Sequence, residues 1–470
     1  MFEKVSAAWG VIARRKPDHA GPVSRFMSGL PMFAIVLWWL ICFAFYITGW
    51  PIQYNRGNSG LVSLLFGSAL ILVAASFLFI VWRRRLDVRV RADAPERERL
   101  PWFVIAGIIA VIALYFPMAA TYSGYNFWEI LPALADQNEA YYLGSDRIAE
   151  GYGPRALVVV AQAALAPLTL AVLPYLALRW FERKRPIILV VLIVVLATSV
   201  FMSVLTGRDF QLVLSAVLIA CAWLAARVRR GIAFAWIDLW VVLGAGIVGG
   251  LTFGLRKFAR VNGVAFCPQG ADICAIPHTP TLWESITVTV ASYASQGFEG
   301  LGRALDATWV FGGGYSHSPA LAGILNTLFG VTNDGIVTSQ LDDLGWSETG
   351  YWSTGFTLLA NDVPWVLIPV VVALQSVLLA YAWRAVVSKG DWLSLAVFAY
   401  SFLSLLFMPM NLQLAISGPI YIGYVVLAAV FIARAVYRAV AGHRAGRHTG
   451  VDGLEGPPRE VPVLAGRALV

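Results

Sequence analysis

The sequence predicts an all-α polytopic membrane protein, with about ten transmembrane helices and one large extracytoplasmic helical loop. Three observations lead there. The chain is 59% hydrophobic and only 13% charged, with a mean hydropathy of +0.71, too apolar for a water-soluble surface. Apolar runs of membrane-spanning length recur along it, separated by short polar linkers. Lysine and arginine gather in alternate linkers, the pattern of topology determinants rather than of a nucleic-acid surface. The net charge of +8 therefore implies no nucleic-acid partner.

In chain order, segment 1–26 is basic (Lys4, Arg14, Arg15, Lys16, Arg25) and is expected in the cytoplasm. The first apolar run has no small-residue cleavage site after it, so it should remain as a span. Seven spans are expected within 27–254, at 31–49, 61–82, 102–120, 156–178, 187–205, 210–226 and 232–255. Pro167 and Pro174 should kink the fourth, which a membrane helix tolerates. Residues 255–362 form the large loop, with a helix expected over 282–310. Three more spans, at 363–383, 393–409 and 420–433, lie in 363–437, before a Gly-, Pro- and Arg-rich tail, 438–470, whose last part reads as disordered.

Of the 35 lysines and arginines, all but Arg56, Arg147, Arg155, Arg208, Arg256, Lys257, Arg260 and Arg303 fall on one side of this layout. The positive-inside rule then puts both termini in the cytoplasm and the large loop outside. Cys42 and Cys221 lie in apolar runs and read as packing; Cys267 and Cys274, in an outside loop, would be free to pair in an oxidising compartment. No internal repeat is evident, which weighs against a duplicated transporter fold.

Polar chemistry concentrates at the outer ends of the spans. Arg208 sits in the TGRD turn between the fifth and sixth spans. Guanidinium matches phosphate oxygens in pairs, so Arg208 is a candidate for a lipid phosphate or pyrophosphate; the alternative is a snorkelling arginine paired with Asp209. Arg256 and Arg260, one turn apart after the seventh span, form a second phosphate candidate or an interfacial anchor. Along the loop helix, Tyr293, Gln296, Glu299, Arg303 and Asp306 share one face. They could hold sugar hydroxyls and supply a base, or Glu299–Arg303 could be a solvated i,i+4 ion pair. FGGGYSHSP permits tight backbone turns but is no phosphate loop, and His317 has no second ligand at metal spacing. Tyr351, Trp352, Thr354, Asn361 and Asp362 stand where the loop re-enters the membrane, as aromatic anchors or a sugar platform, with Asp362 an acid at a depth where acids are mostly functional.

Three stretches resemble the Wzy-type oligosaccharide repeat-unit polymerases, polytopic glycosyltransferases related to the O-antigen ligases: LTGRDFQLVLSAVLIACAWLAARVRRG, YASQGFEGLGRALDATWVFGGGYSHSP and WSTGFTLLAND. The resemblance implies polymerisation of undecaprenyl-pyrophosphate-linked repeat units for a surface polysaccharide (O-antigen, capsule or exopolysaccharide) in a bacterial inner membrane. One lipid-linked unit supplies the acceptor hydroxyl and undecaprenyl pyrophosphate leaves the other. It implies no metal, no cofactor and no nucleotide sugar, with a chain-length regulator and a flippase as partners. Carried onto this chain, Arg208, Arg256 and Arg260 would bind pyrophosphate, Glu299 would be the base with Arg303 beside it, and Tyr293, Gln296, Trp352 and Asp362 would contact sugar. The sequence departs from the ligases in lacking a paired-histidine loop, and the first outer loop, WPIQYNRGNS, has no acid for a metal-dependent oligosaccharyltransferase. The alternatives are a ligase-like transferase and a non-enzymatic transporter or flippase of lipid-linked glycans. A transporter would put charge at mid-membrane, where these spans carry essentially none.

Overall fold

The structure, a computed structural model, describes residues 23–83, 100–149, 155–260, 281–332, 334–347 and 351–448. The chain divides into two compact units, Met1–Leu427 and Ala428–Val470. In the second, the described residues are the C-terminal part of one helix, so the start of the tail is helical, and 449–470 lie outside the described residues.

Every regular element among the described residues is a helix. In order these are α1 (Arg25–Thr48), α2 (Ser59–Arg83), α3 (Trp102–Tyr122), α4 (Ile130–Ala135), α5 (Gln137–Ala149), α6 (Ala156–Arg183), α7 (Pro186–Thr206) and α8 (Phe210–Arg229). Then come α9 (Trp236–Arg260), α10 (Leu282–Ala304), α11 (Pro319–Phe329), α12 (Gly355–Ala360), α13 (Ile368–Lys389), α14 (Trp392–Phe407) and α15 (Gly418–His448). Among the described residues eight helices are long and apolar enough to cross a membrane: α1, α2, α3, α6, α7, α8, Trp365–Lys389 around α13, and Gly418–Arg438 within α15. The chain is an all-α polytopic membrane protein.

The other two expected spans differ in kind. Span 232–255 is the 25-residue helix α9. Span 393–409 is shorter: α14 has 16 residues and, at ~1.5 Å per residue, rises about 24 Å against a hydrocarbon core of ~30 Å. The chain continues past it as a non-helical segment, 408–417, that is mostly buried. Such backbone at the end of a bundle must be covered by protein. Here α10 and α12 cover it: a Cβ on Gly297 would meet the Pro409 and Met410 carbonyl oxygens at 2.9 Å, and the Gly355 N–H donates to the Met408 carbonyl at 2.9 Å.

Between helices in lipid, packing and a few polar contacts replace the hydrophobic effect. The Trp39 indole donates to the Leu405 carbonyl at 2.7 Å, Trp383 to Ser28 at 2.9 Å, and the Ser376 hydroxyl to Val73 at 2.7 Å. These tie α1, α2, α13 and α14 into one bundle.

Two sequence expectations are revised. The stretch between the third and fourth spans is not a plain loop but carries α4 and α5. The helix expected over 282–310 stops at Ala304; its start is fixed by a capping box in which Thr281 and Glu284 satisfy each other's backbone N–H. Pro167 and Pro174 lie inside a single helix, α6, that runs through both. Cys267, Cys274 and His278 lie outside the described residues.

Candidate functional site

Two glycine-rich and acidic fragments, far apart in sequence, are folded together at the end of the bundle where α13 and α15 begin. Gly313 and Gly314 both have φ of 83°, a region that residues with a Cβ avoid. This turns 312–317 back onto Asn361 and Asp362. The Gly312 N–H donates to the Asn361 carbonyl at 2.7 Å, and the Asn361 amide donates to the Ser316 carbonyl and the Thr338 hydroxyl at 3.0 Å each. Asn361 is thereby sealed as the structural half of the pair.

Asp362 is the chemical half. Its Oδ1 accepts the Gly314 N–H at 2.9 Å; its Oδ2 accepts the His317 N–H at 2.7 Å and faces His317 Nδ1 at 2.6 Å. Burial opposes ionisation of this carboxyl, but the ring and backbone hydrogen bonds from His317 and the Gly314 N–H outweigh it and hold the group below its ordinary value. An ionised carboxylate only accepts, so the His317 proton belongs on Nδ1 and Nε2 is left as an acceptor. The Tyr421 hydroxyl, on α15, donates to that Nε2. Ser318 completes the placement, since its hydroxyl caps α11 through the Leu321 N–H at 3.2 Å and donates to the Ala415 carbonyl at 2.6 Å. The result is an Asp–His–Tyr relay with the His317 side chain 20% exposed and the Asp362 side chain 5%.

A second cluster forms at the same ends of α7, α8 and α9. Gly207, at φ 61°, closes α7, and the Arg208 N–H returns to the Ser203 carbonyl at 3.2 Å. Arg256 pairs with Asp209 and hydrogen-bonds Gln137, while Arg208 reaches the Ser145 hydroxyl at 3.4 Å and lies 6.0 Å from the centre of the Tyr141 ring. Arg208 and Arg256 thus converge around Asp209, against α5. Arg260 ends α9, and its side chain lies outside the described residues. Gln137, Tyr141 and Ser145 are partners that sequence reasoning missed, because it expects a loop where α5 forms.

The third cluster is the α10 face. Tyr293 meets Phe253 and Trp352 edge-on, each with ring centres 4.8 Å apart. Gln296 is buried and accepts from the Ser292 hydroxyl at 3.4 Å. Glu299 is 2% exposed, with Oε1 held by Arg303 Nε at 3.2 Å and Oε2 by the Arg56 N–H at 3.1 Å. Arg303 goes on to the Leu344 and Gly345 carbonyls at 3.1 and 2.8 Å. This is a clamp joining the first inter-span loop to α10 and 344–345, with both carboxylate oxygens engaged. Asp306, expected on the same face, lies beyond the helix and accepts from Asn58 at 2.8 Å.

A cavity of ≈140 Å³ lies in the bundle, lined by residues of α3, α6, α7, α8, α14 and α15 and mostly apolar. Its wall includes Gln211, one turn into α8 from Arg208, and Ile420, next to Tyr421, with Gln162, Ser215 and Tyr400 between. Gly423 lets α15 approach this wall, since a Cβ there would lie 2.7 Å from Ala166 and Leu170 side-chain atoms. Among the described residues no three His, Cys, Asp or Glu side chains converge as metal ligands.

The fold and these clusters define a multi-pass membrane protein with a polar, acid–base-competent site at one end of its bundle. Compared with known proteins, the chain matches no protein-family model, no curated protein and no solved structure.

Proposed function

We propose that the chain is a glycosyltransferase that polymerises undecaprenyl-pyrophosphate-linked oligosaccharide units at the outer face of a bacterial cytoplasmic membrane, with both termini inside. The observation that carries the reading is the His317–Asp362–Tyr421 relay, with Arg208 and Arg256 gathered in a separate cluster at the ends of α7, α8 and α9. Glycosyl transfer between lipid-linked units needs a base for the acceptor hydroxyl and cations for the leaving pyrophosphate. Both are present at one end of the bundle.

In this mechanism the acceptor oxygen attacks the anomeric carbon of the donor, and the bond from that carbon to pyrophosphate breaks with its electron pair on the leaving oxygen. The acceptor proton passes to the Tyr421 oxygen as the Tyr421 proton moves to His317 Nε2. Asp362 stays ionised and stabilises the imidazolium. Arg208 and Arg256 take the pyrophosphate charge. His317 replaces Glu299 as the base, because Glu299 has no free oxygen and almost no exposure. Tyr293 and Trp352, sharing an edge contact, keep their part as an aromatic surface beside the donor sugar.

The test is reconstitution of the purified protein with a lipid-pyrophosphate oligosaccharide, products being followed as a gel ladder for wild type, His317→Ala and Arg208→Ala. A ladder in wild type that both variants abolish supports the reading. A single transfer without a ladder points to a ligase-like transferase. No transfer with any repeat unit, alongside movement of the lipid-linked glycan across the bilayer, overturns the enzyme in favour of a transporter.

A further inference from the structure

The bundle cavity of ≈140 Å³ carries polar groups that neither the relay nor the arginine cluster uses. Its wall is mostly apolar, and no described residue on it bears a charge. Two of its hydroxyls are satisfied within their own helices: Thr169 donates to the Ala166 carbonyl at 3.2 Å and Thr198 to the Val195 carbonyl at 2.7 Å. Gln162 has its Oε1 taken by the Tyr122 hydroxyl at 2.9 Å. Ser199, Gln211, Ser215 and Tyr400 differ, because their side chains make no hydrogen bond to any described residue. Ser215 is 6% exposed and Tyr400 2%, so their hydroxyls are shut away from bulk solvent on the wall of this cavity. Neither sits at a fraying end. Ser215 lies in the second turn of α8, about 8 Å below its start at ~1.5 Å per residue, and Tyr400 stands at the middle of α14. A hydroxyl or carboxamide taken out of water without a partner is costly, and here four of them share one wall.

We propose that this cavity is an aqueous pocket that takes water and small uncharged hydroxylated molecules and excludes ions. Its volume has room for about five waters at ~30 Å³ each. A water in a protein needs roughly two to four polar partners, and the hydroxyls and carboxamides of this wall supply them. The same groups both donate and accept, so they suit an alcohol or polyol as they suit water. An ion entering here would lose its hydration and meet no opposite charge. A hydrocarbon chain would cover the apolar part of the wall and leave Ser199, Gln211, Ser215 and Tyr400 unpaired. The pocket does not depend on the reading of the His317 relay.

The experiment uses the full-length protein in detergent, with Ser215→Cys as the reporter. Ser376→Cys is the control, a buried position on α13 whose hydroxyl is packed against the Val73 carbonyl. Methanethiosulfonates react with the thiolate, which forms where water reaches the sulfur. Three reagents are compared at one pH: the neutral hydroxyethyl, the cationic trimethylammonium-ethyl and the apolar butyl compound. Each rate is divided by that reagent's rate with a free thiol in solution. Labelling is read by mass spectrometry on the peptide that carries the introduced cysteine, so the native cysteines do not interfere. The hydroxyethyl reagent should modify Ser215→Cys about tenfold or more faster than Ser376→Cys, and about tenfold or more faster than the cationic reagent modifies the same site. Adding Tyr400→Phe should slow the hydroxyethyl reaction severalfold, since one of the groups that hold water is gone. A hydroxyethyl rate no higher than the control's overturns the proposal. Faster labelling by the butyl reagent than by the hydroxyethyl one also overturns it and assigns the cavity to a hydrocarbon chain. Equal rates for the neutral and cationic reagents overturn the exclusion of ions. If Ser215→Cys does not fold, Ser199→Cys on the α7 wall takes its place and is judged by the same outcomes.

Discussion

Two regions of this protein use an acid held by a basic partner, and they do different work. Glu299 and Arg303 are one turn apart on α10, and Glu299 is 2% exposed with both oxygens taken. Asp362 and His317 are 45 positions apart, and the His317 side chain is 20% exposed with its far nitrogen turned to Tyr421. The first pair closes on itself and on loop backbone. The second pair hands an orientation on, from Asp362 to an imidazole and from there to the Tyr421 hydroxyl on α15. A satisfied buried acid holds the fold; an acid that fixes one nitrogen and leaves the other to act is set up for proton transfer.

Cutting each pair once separates the two roles most strongly. On the proposed transferase function, His317→Ala or Asp362→Asn should lower turnover about 10²–10⁴-fold while the protein still purifies as a folded monodisperse species. In Asp362→Asn the Nδ1 proton loses its carboxylate, so the wrong tautomer is favoured. The same carboxyl gives a pH signature. Its folded pKa lies below the ordinary 3.8, so the stability it adds is fully present above that value and is lost as pH falls through the lowered folded pKa. Unfolding temperatures of wild type and Asp362→Asn should therefore differ at neutral pH and converge in acid. Glu299→Gln should behave in the opposite way: about 2 kcal/mol less stable, measured by chemical unfolding in detergent, with turnover per folded molecule within about threefold of wild type. A collapse of turnover in Glu299→Gln at unchanged stability would return the base role to Glu299.

That contrast was only half legible in the sequence. The spans were, because hydropathy over 18 or more residues is a local property, and eight of the expected ten reappear as long apolar helices among the described residues. The i,i+4 spacing of Glu299 and Arg303 was legible for the same reason. Their burial was not, since it depends on Arg56 and Gly345 arriving from other parts of the chain. His317 looked isolated because its partners stand at 362 and 421, and no periodicity reports a contact across a loop. The hint lay in composition: three glycines before a histidine at one point, and Asn361–Asp362 at a membrane mouth at another. The α5 partners of Arg208 and Arg256 were hidden because α5 is a polar helix without an apolar face to mark it.

A subtler pair of variants separates backbone strain from site chemistry. Gly314 and Gly330 have φ of 83° and 65°, and a Cβ on either would meet nothing within 4 Å. Alanine at either position therefore carries only the cost of the left-handed backbone, about 1 kcal/mol. At Gly330 that cost falls on the end of α11, where the N–H donates to Asn326 at 2.8 Å, and turnover should not change. At Gly314 the N–H is the donor that holds Asp362 Oδ1 at 2.9 Å. Relaxing φ to relieve the strain swings that donor away, loosens the carboxylate and lets the His317 ring turn. Gly314→Ala should be at least as destabilised as Gly330→Ala and lose about tenfold or more of a turnover that Gly330→Ala keeps, on the order of one lost hydrogen bond to a charged group. Equal turnover in the two variants would mean that Asp362 is held well enough by His317 alone, and that the glycine turn shapes the loop without tuning the relay.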